Sequence, residues 1–129
     1  MLSKNIWLKG VKVFEKDKRV PKPWGYELIF VITDRYVGKI LHVNRGEKLS
    51  LQYHKVKDET MRLVKGRVEI QIDDEKFIMA DGDTVRIRPG TRHSVLALED
   101  SDIFEVSTPE IDDVVRLEDR YGREGTTEP

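Results

Sequence analysis

Gly46-Glu-Lys-Leu-Ser-Leu-Gln52-Tyr-His54-Lys-Val-Lys-Asp-Glu59, with Gly66 closing the stretch, decides how this chain is read. Gln52 and His54 are separated by one residue, so on an extended strand their side chains leave the same face. Glu59 follows across Lys55-Val-Lys-Asp and opens a second run of strand character, Glu59-Thr-Met-Arg-Leu-Val. A fourth polar group, His93, ends the segment Gly82-Asp-Thr-Val-Arg-Ile-Arg-Pro-Gly90-Thr-Arg-His93. Two neutral imidazoles, a carboxylate and an amide oxygen form a mixed nitrogen and oxygen set suited to one divalent first-row metal. Residue types alone leave zinc, manganese, nickel and iron all open.

Outward from this stretch the chain is a series of short apolar runs divided by turn signals, the pattern of an all-β sandwich or barrel. Strands are expected over residues 26–32, 37–43, 48–54, 60–72, 76–79, 84–87, 94–98 and 103–107. Asp73-Asp-Glu, Ala80-Asp-Gly-Asp and Arg88-Pro-Gly-Thr supply the turns. A short helix is expected over 109–116, where acids crowd the first turn. Residues 1–20, with Ile6, Trp7, Val11, Val13 and Phe14, predict an extra strand or arm packed on a partner subunit. Residues 21–123 form the main domain, and 124–129, poor in apolar groups, predict a disordered tail.

These residues carry a family resemblance. Gly46, Gln52, His54, Glu59 and Gly66, followed by Gly82, Gly90 and His93, are spaced like the two signature motifs of the cupin superfamily, with Gln52 at the usual first histidine. Leu-Ser-Leu-Gln-Tyr-His (49–54) resembles the metal-binding core of phosphomannose isomerases. Lys22-Pro-Trp-Gly-Tyr-Glu27 and Val115-Arg-Leu-Glu-Asp-Arg-Tyr-Gly-Arg123 resemble the opening and closing of the C-terminal cupin domain in type II mannose-6-phosphate isomerases. The resemblance implies an all-β cupin, a double-stranded β-helix or jelly-roll barrel. It further implies one divalent metal held by Gln52, His54, Glu59 and His93, and interconversion of mannose 6-phosphate and fructose 6-phosphate through a cis-enediolate. Lys57 stands where those enzymes carry arginine and is the candidate catalytic residue. Lys48, in phase with Gln52 and His54, and Arg123, in the closing segment, are the candidate substrate-binding cations. Alternatives of other classes are an iron-dependent oxygenase and a non-catalytic sugar-binding or sensor cupin.

Composition narrows the partners. The 129 residues contain no cysteine, which removes disulfides, thiolate metal sites and cysteine nucleophiles. Charged residues make up 36% of the chain but nearly cancel to −1, which argues against a nucleic-acid surface. The longest apolar run, residues 28–32, is far too short for a membrane span, and no leader pattern is present. A cytoplasmic homodimer acting on a small sugar phosphate is therefore the expectation. His42, Trp24, Arg62, Arg86, Arg88 and Arg92 read as structural or solvated groups, by their phase against the apolar positions.

Overall fold

The computed structural model of this chain describes the backbone of residues 6–8, 11–13 and 18–125, and the side chains of 18–125. Its thirteen strands run β1 (Ile6–Leu8), β2 (Val11–Val13), β3 (Lys18–Lys22), β4 (Gly25–Ile32), β5 (Val37–Val43), β6 (Leu51–Tyr53) and β7 (Glu59–Lys65). They continue as β8 (Arg67–Ile72), β9 (Glu75–Ala80), β10 (Thr84–Ile87), β11 (His93–Ala97), β12 (Ser101–Ser107) and β13 (Val115–Glu118). One antiparallel sheet has the order β1-β2-β4-β5-β12-β7-β10, with β3 also on β4. The other has the order β13-β6-β11-β8-β9.

Period-2 burial decides which residues face inward. On β12, Ser101, Ile103, Glu105 and Ser107 are buried while the residues between them are not. On β7 the buried set is Glu59, Met61 and Leu63. Leu41, Val43, Leu63 and Ile103 from one sheet meet Val68, Ile70 and Val95 from the other, each at most 2% exposed. Burial of each such side chain stabilises the fold by about 1.5–3 kcal/mol. Trp24 is buried in the same core, as expected.

Several expected elements differ. The run 60–72 is two strands, because Gly66 turns the chain with φ +117°. A Cβ at Gly66 would fall 2.3 Å from Ser101 Oγ and 2.6 Å from the Asp100 carbonyl oxygen, so only glycine fits. The strand expected over 48–54 shortens to β6, with Lys48 held as an isolated bridge to Leu96. No helix forms at 109–116, nor anywhere among the described residues. Asp113 there spends its carboxylate on a neighbouring loop, and Val115 and Arg116 pair with β6 instead of continuing a turn. At the expected tail, Asp119 N–H donates to Glu124 Oε1 and Gly125 N–H donates to the Arg116 carbonyl, while 126–129 lie outside the described residues. The expected arm is a β1–β2 hairpin joined to β4 through the pair Lys12↔Ile32 among the described residues. The side chains of Ile6, Trp7, Val11 and Val13, and all of Phe14, lie outside the described residues. None of the described helical segments is long and apolar enough to cross a membrane, since there are none.

Candidate metal centre

The β6–β7 loop is shaped by Asp113. Its carboxylate accepts the backbone N–H groups of Lys55 (3.0 Å), Val56 (2.7 Å) and Lys57 (2.9 Å). Burial opposes charge on Asp113, but these three donors hold its pKa below the ordinary aspartate value. Gly90, at φ +83°, donates its N–H to the His54 carbonyl at 2.7 Å, so the β10–β11 turn is stitched to the same loop. The outcome is that His54, Glu59 and His93 converge in the interior, each at most 3% exposed, with their ligand atoms all within 4.8 Å of one another.

Both rings are oriented by the backbone. His54 Nδ1 lies against the Asp113 carbonyl, and His93 Nδ1 is 2.9 Å from the Thr91 carbonyl. A carbonyl only accepts, so each Nδ1 presents its N–H to the backbone and each ring turns its Nε2 inward. His93 Nε2 is 3.1 Å and His54 Nε2 3.4 Å from Glu59 Oε1. These nitrogens and both Glu59 oxygens are buried without a hydrogen-bond partner. The two inward Nε2 atoms and Glu59 Oε1, with the Lys57 ammonium on the carboxylate's other oxygen, offer three ligand atoms that fit a divalent cation. The chemistry of this cluster suits a metal. Burial disfavours charge on Glu59, yet the two imidazoles and Lys57 outweigh it and hold Glu59 well below the ordinary carboxylate range.

Gln52 is the register partner of His93 on one side and of Arg116 on the other. It lines the cavity next to His54, with Ser50 Oγ donating to its Oε1 at 2.6 Å. Lys57 Nζ sits 3.0 Å from Glu59 Oε2 and 3.3 Å from Glu105 Oε2. Burial works against its charge, but Glu105 and Glu59 prevail and place its pKa above the ordinary lysine range. The ion pairs continue: Lys39 lies 3.4 Å from Glu105 and 3.1 Å from Glu27, and Lys22 lies 3.8 Å from Glu27. The structure thus threads a buried chain of alternating charge away from Glu59.

This chain lines a cavity of about 290 Å³ that also takes in Gln52, His54, Arg116 and Arg123. Arg123 is held by Asp119, through Nε at 2.9 Å and Nη2 at 3.3 Å. Lys48 is not brought to this cavity; it borders a separate depression with Glu118, Asp119, Arg120 and Glu124. Sequence reasoning missed Lys22, Glu27, Lys39, Glu105 and Asp113. For Lys39 and Glu105 a signal existed, because each interrupts an inward apolar phase, between Val37 and Leu41 and beside Ile103. His42 is a satisfied surface histidine, 2.6 Å from Asp102 and stacked on Tyr26. Arg86 and Arg92 make exposed ion pairs with Asp58 and Asp74, as expected of solvated groups.

Residues 9–119 match the family described as Mannose-6-phosphate isomerase C-terminal. The chain belongs to this family. The mannose-1-phosphate guanylyltransferase of Escherichia coli K12 is 32% identical over 111 residues, covering 82% of this chain and 23% of that protein. The chain spans about a quarter of the length of the curated relatives it matches. Among solved structures, KdgF from Halomonas sp. superposes with a TM-score of 0.67 at 23% identity, covering 72% of this chain and 86% of that one. An RmlC-like cupin from Shewanella frigidimarina superposes with a TM-score of 0.67 at 11% identity, covering 83% and 92%. These likenesses show the fold, an antiparallel cupin barrel. The residues of the candidate metal centre therefore sit in a cupin of a sugar-phosphate enzyme family.

Proposed function

We propose that this chain is a metal-dependent isomerase interconverting mannose 6-phosphate and fructose 6-phosphate. The observation that carries the reading is the buried trio His54, Glu59 and His93, whose unpartnered donor atoms face one another at a cavity in a member of this family. A divalent metal held there, with Gln52 as fourth ligand, would supply Lewis acidity toward the sugar's oxygens. The Asp113 and Thr91 carbonyls fix the rings so that their nucleophilic nitrogens stay inward. Lys57 remains an ammonium beside Glu59 and on the cavity wall, where it steadies negative charge developing on substrate oxygens. It acts as a fixed cation and not as a base, because two carboxylates hold its proton. Arg123 is the cavity cation for the substrate's anionic end. A homodimer joined through the β1–β2 hairpin and a cytoplasmic setting complete the reading. The apolar residues Ile6, Trp7, Val11 and Val13 in the sequence of that hairpin support a partner surface for it.

A coupled assay with hexose and pentose phosphates and the corresponding free sugars tests the reading. Turnover of mannose 6-phosphate is expected with at least one of manganese, nickel, zinc or iron, lost on chelation and in Glu59→Ala. No turnover of any sugar phosphate with any of these metals would overturn it. The same assay under nitrogen separates it from an oxygenase, since isomerisation consumes no dioxygen.

A further inference from the structure

We propose that Lys57 is a positioning residue that divides the Glu59 carboxylate, holding Oε2 on its ammonium so that only Oε1 is offered to a metal. This inference rests on the metal centre of the proposed isomerase and says how its one carboxylate is shared. The two oxygens of Glu59 face different neighbours. Oε1 lies 3.1 Å from His93 Nε2 and 3.4 Å from His54 Nε2, on the side where the ligand atoms converge. Oε2 lies 3.0 Å from Lys57 Nζ. Glu59 and Lys57 are 2% and 4% exposed, so solvent ions do little to screen that pair.

Lys57 does not owe its place to Glu59 alone. Its backbone N–H donates to Asp113 Oδ2 at 2.9 Å, in the loop between β6 and β7. Its Nζ donates to Glu105 Oε2 at 3.3 Å. Glu105 is buried on β12, and Lys39 Nζ lies 3.4 Å from the same oxygen. The ammonium is thus held by the loop and by Glu105, and Glu59 Oε2 meets a cation that is already fixed. Two things follow for a bound divalent ion. A carboxylate with one oxygen on an ammonium gives the ion one bond where a free one can give two, which leaves a position for another oxygen ligand. A positive charge on the far side of that carboxylate also repels the ion, so affinity falls below what His54, Glu59 and His93 would give by themselves. An ammonium has three donors, and two face Glu59 and Glu105, which leaves one for the cavity that Lys57 lines.

Zn²⁺ titration against a competing chelator, and the crystal structure of the zinc-loaded chain, test the clamp without any sugar. In the parent, Glu59 Oε1 is expected at about 2.0–2.2 Å from Zn²⁺, with Oε2 still on Lys57. Lys57→Met should bind Zn²⁺ about 10- to 100-fold more tightly, because the repelling charge is gone and Glu59 is free to chelate. Glu105→Gln should move affinity the other way, to about tenfold weaker, since Lys57 then turns wholly to Glu59. The exposed control Lys76→Met should bind as the parent does. Circular dichroism checks that each variant is folded. A lysine that only held the fold together would weaken Zn²⁺ binding on removal, so equal or weaker binding by folded Lys57→Met would overturn the proposal. Should Lys57→Met fail to fold, the parent crystal decides: Glu59 chelating Zn²⁺ through both oxygens would overturn the clamp. A parent that binds no Zn²⁺ would overturn the metal centre and the clamp together. A parent that binds it, beside a Lys57→Met that binds no tighter, would overturn the clamp and leave the metal centre standing.

Discussion

Strands β5, β12 and β7 carry two kinds of interior on one and the same inward phase. Leu41, Ile103 and Leu63 are register partners across the three strands and form an apolar row. Two residues along, Lys39 faces Glu105, and two further, Ser107 faces Glu59. Glu59 and Glu105 are as buried as the apolar row and the Lys39 side chain is only 12% exposed, so exposure hardly separates the two regions. The apolar row needs nothing beyond its neighbours. The charged region holds ammonium and carboxylate groups that lost their hydration, beside the two inward imidazole nitrogens and Glu59 Oε1 of the candidate metal centre. A barrel this size could have been filled with aliphatic side chains throughout. The charged half is where burial costs the fold stability that the apolar row does not cost it.

The largest expected effect comes from cutting the ion chain. Lys39→Met leaves Glu27 and Glu105 short of a cation and should destabilise by about 3–5 kcal/mol at neutral pH in urea unfolding. Burial works against charge on Lys39, but Glu105 and Glu27 prevail and raise its pKa above the ordinary lysine value of 10.5. Its contribution is thus complete below that value and fades as pH rises toward the folded-state pKa. The deficit of Lys39→Met should accordingly narrow above about pH 10.5. Leu63→Ala, in the apolar row, should cost about 2–5 kcal/mol with no such pH dependence. If both variants show the same pH profile, the two interiors do not differ as described.

Gly66→Ala comes next. The new Cβ would meet Ser101 Oγ and the Asp100 carbonyl at a positive φ, for a loss of about 1–3 kcal/mol. The smallest effect belongs to Arg86→Ala. Arg86 pairs with Asp58 at 2.6 Å, closer than any lysine pair in the chain of buried charges, yet in solvent. Its removal should leave the urea midpoint where it was. A large loss there would show that distance outranks burial in this protein.

Much of this could be read in the sequence because ligand spacing and strand phase are local properties. Gln52, His54, Glu59 and His93 were placed by intervals of one residue, by turns and by flanking glycines, and the structure brings the two histidines and the glutamate together. Strands β5 and β10 were bounded correctly by their apolar runs and turns. What was not legible depends on pairing between distant strands. Lys48 shares a phase with Gln52, but the chain between them is not one continuous strand, so phase did not carry it to the cavity. The helix expected over 109–116 lost to β13, whose partner β6 lies some sixty residues earlier, and to Asp113's service to the loop at 55–57. Lys22 and Glu27 reach the ion chain only once β3 and β4 are paired alongside β5.

The central claim is that one charged interior holds both a metal and a phosphate ester. With Mn²⁺ bound at one equivalent, the phosphorus-31 relaxation of mannose 6-phosphate reports directly on whether the two share the cavity. The account predicts strongly enhanced relaxation in the parent chain, lost in His93→Ala through loss of metal and weakened in Arg123→Gln through loss of the cation at the ester's anionic end. Relaxation no faster than that produced by free Mn²⁺, with the metal shown to be bound, would contradict it.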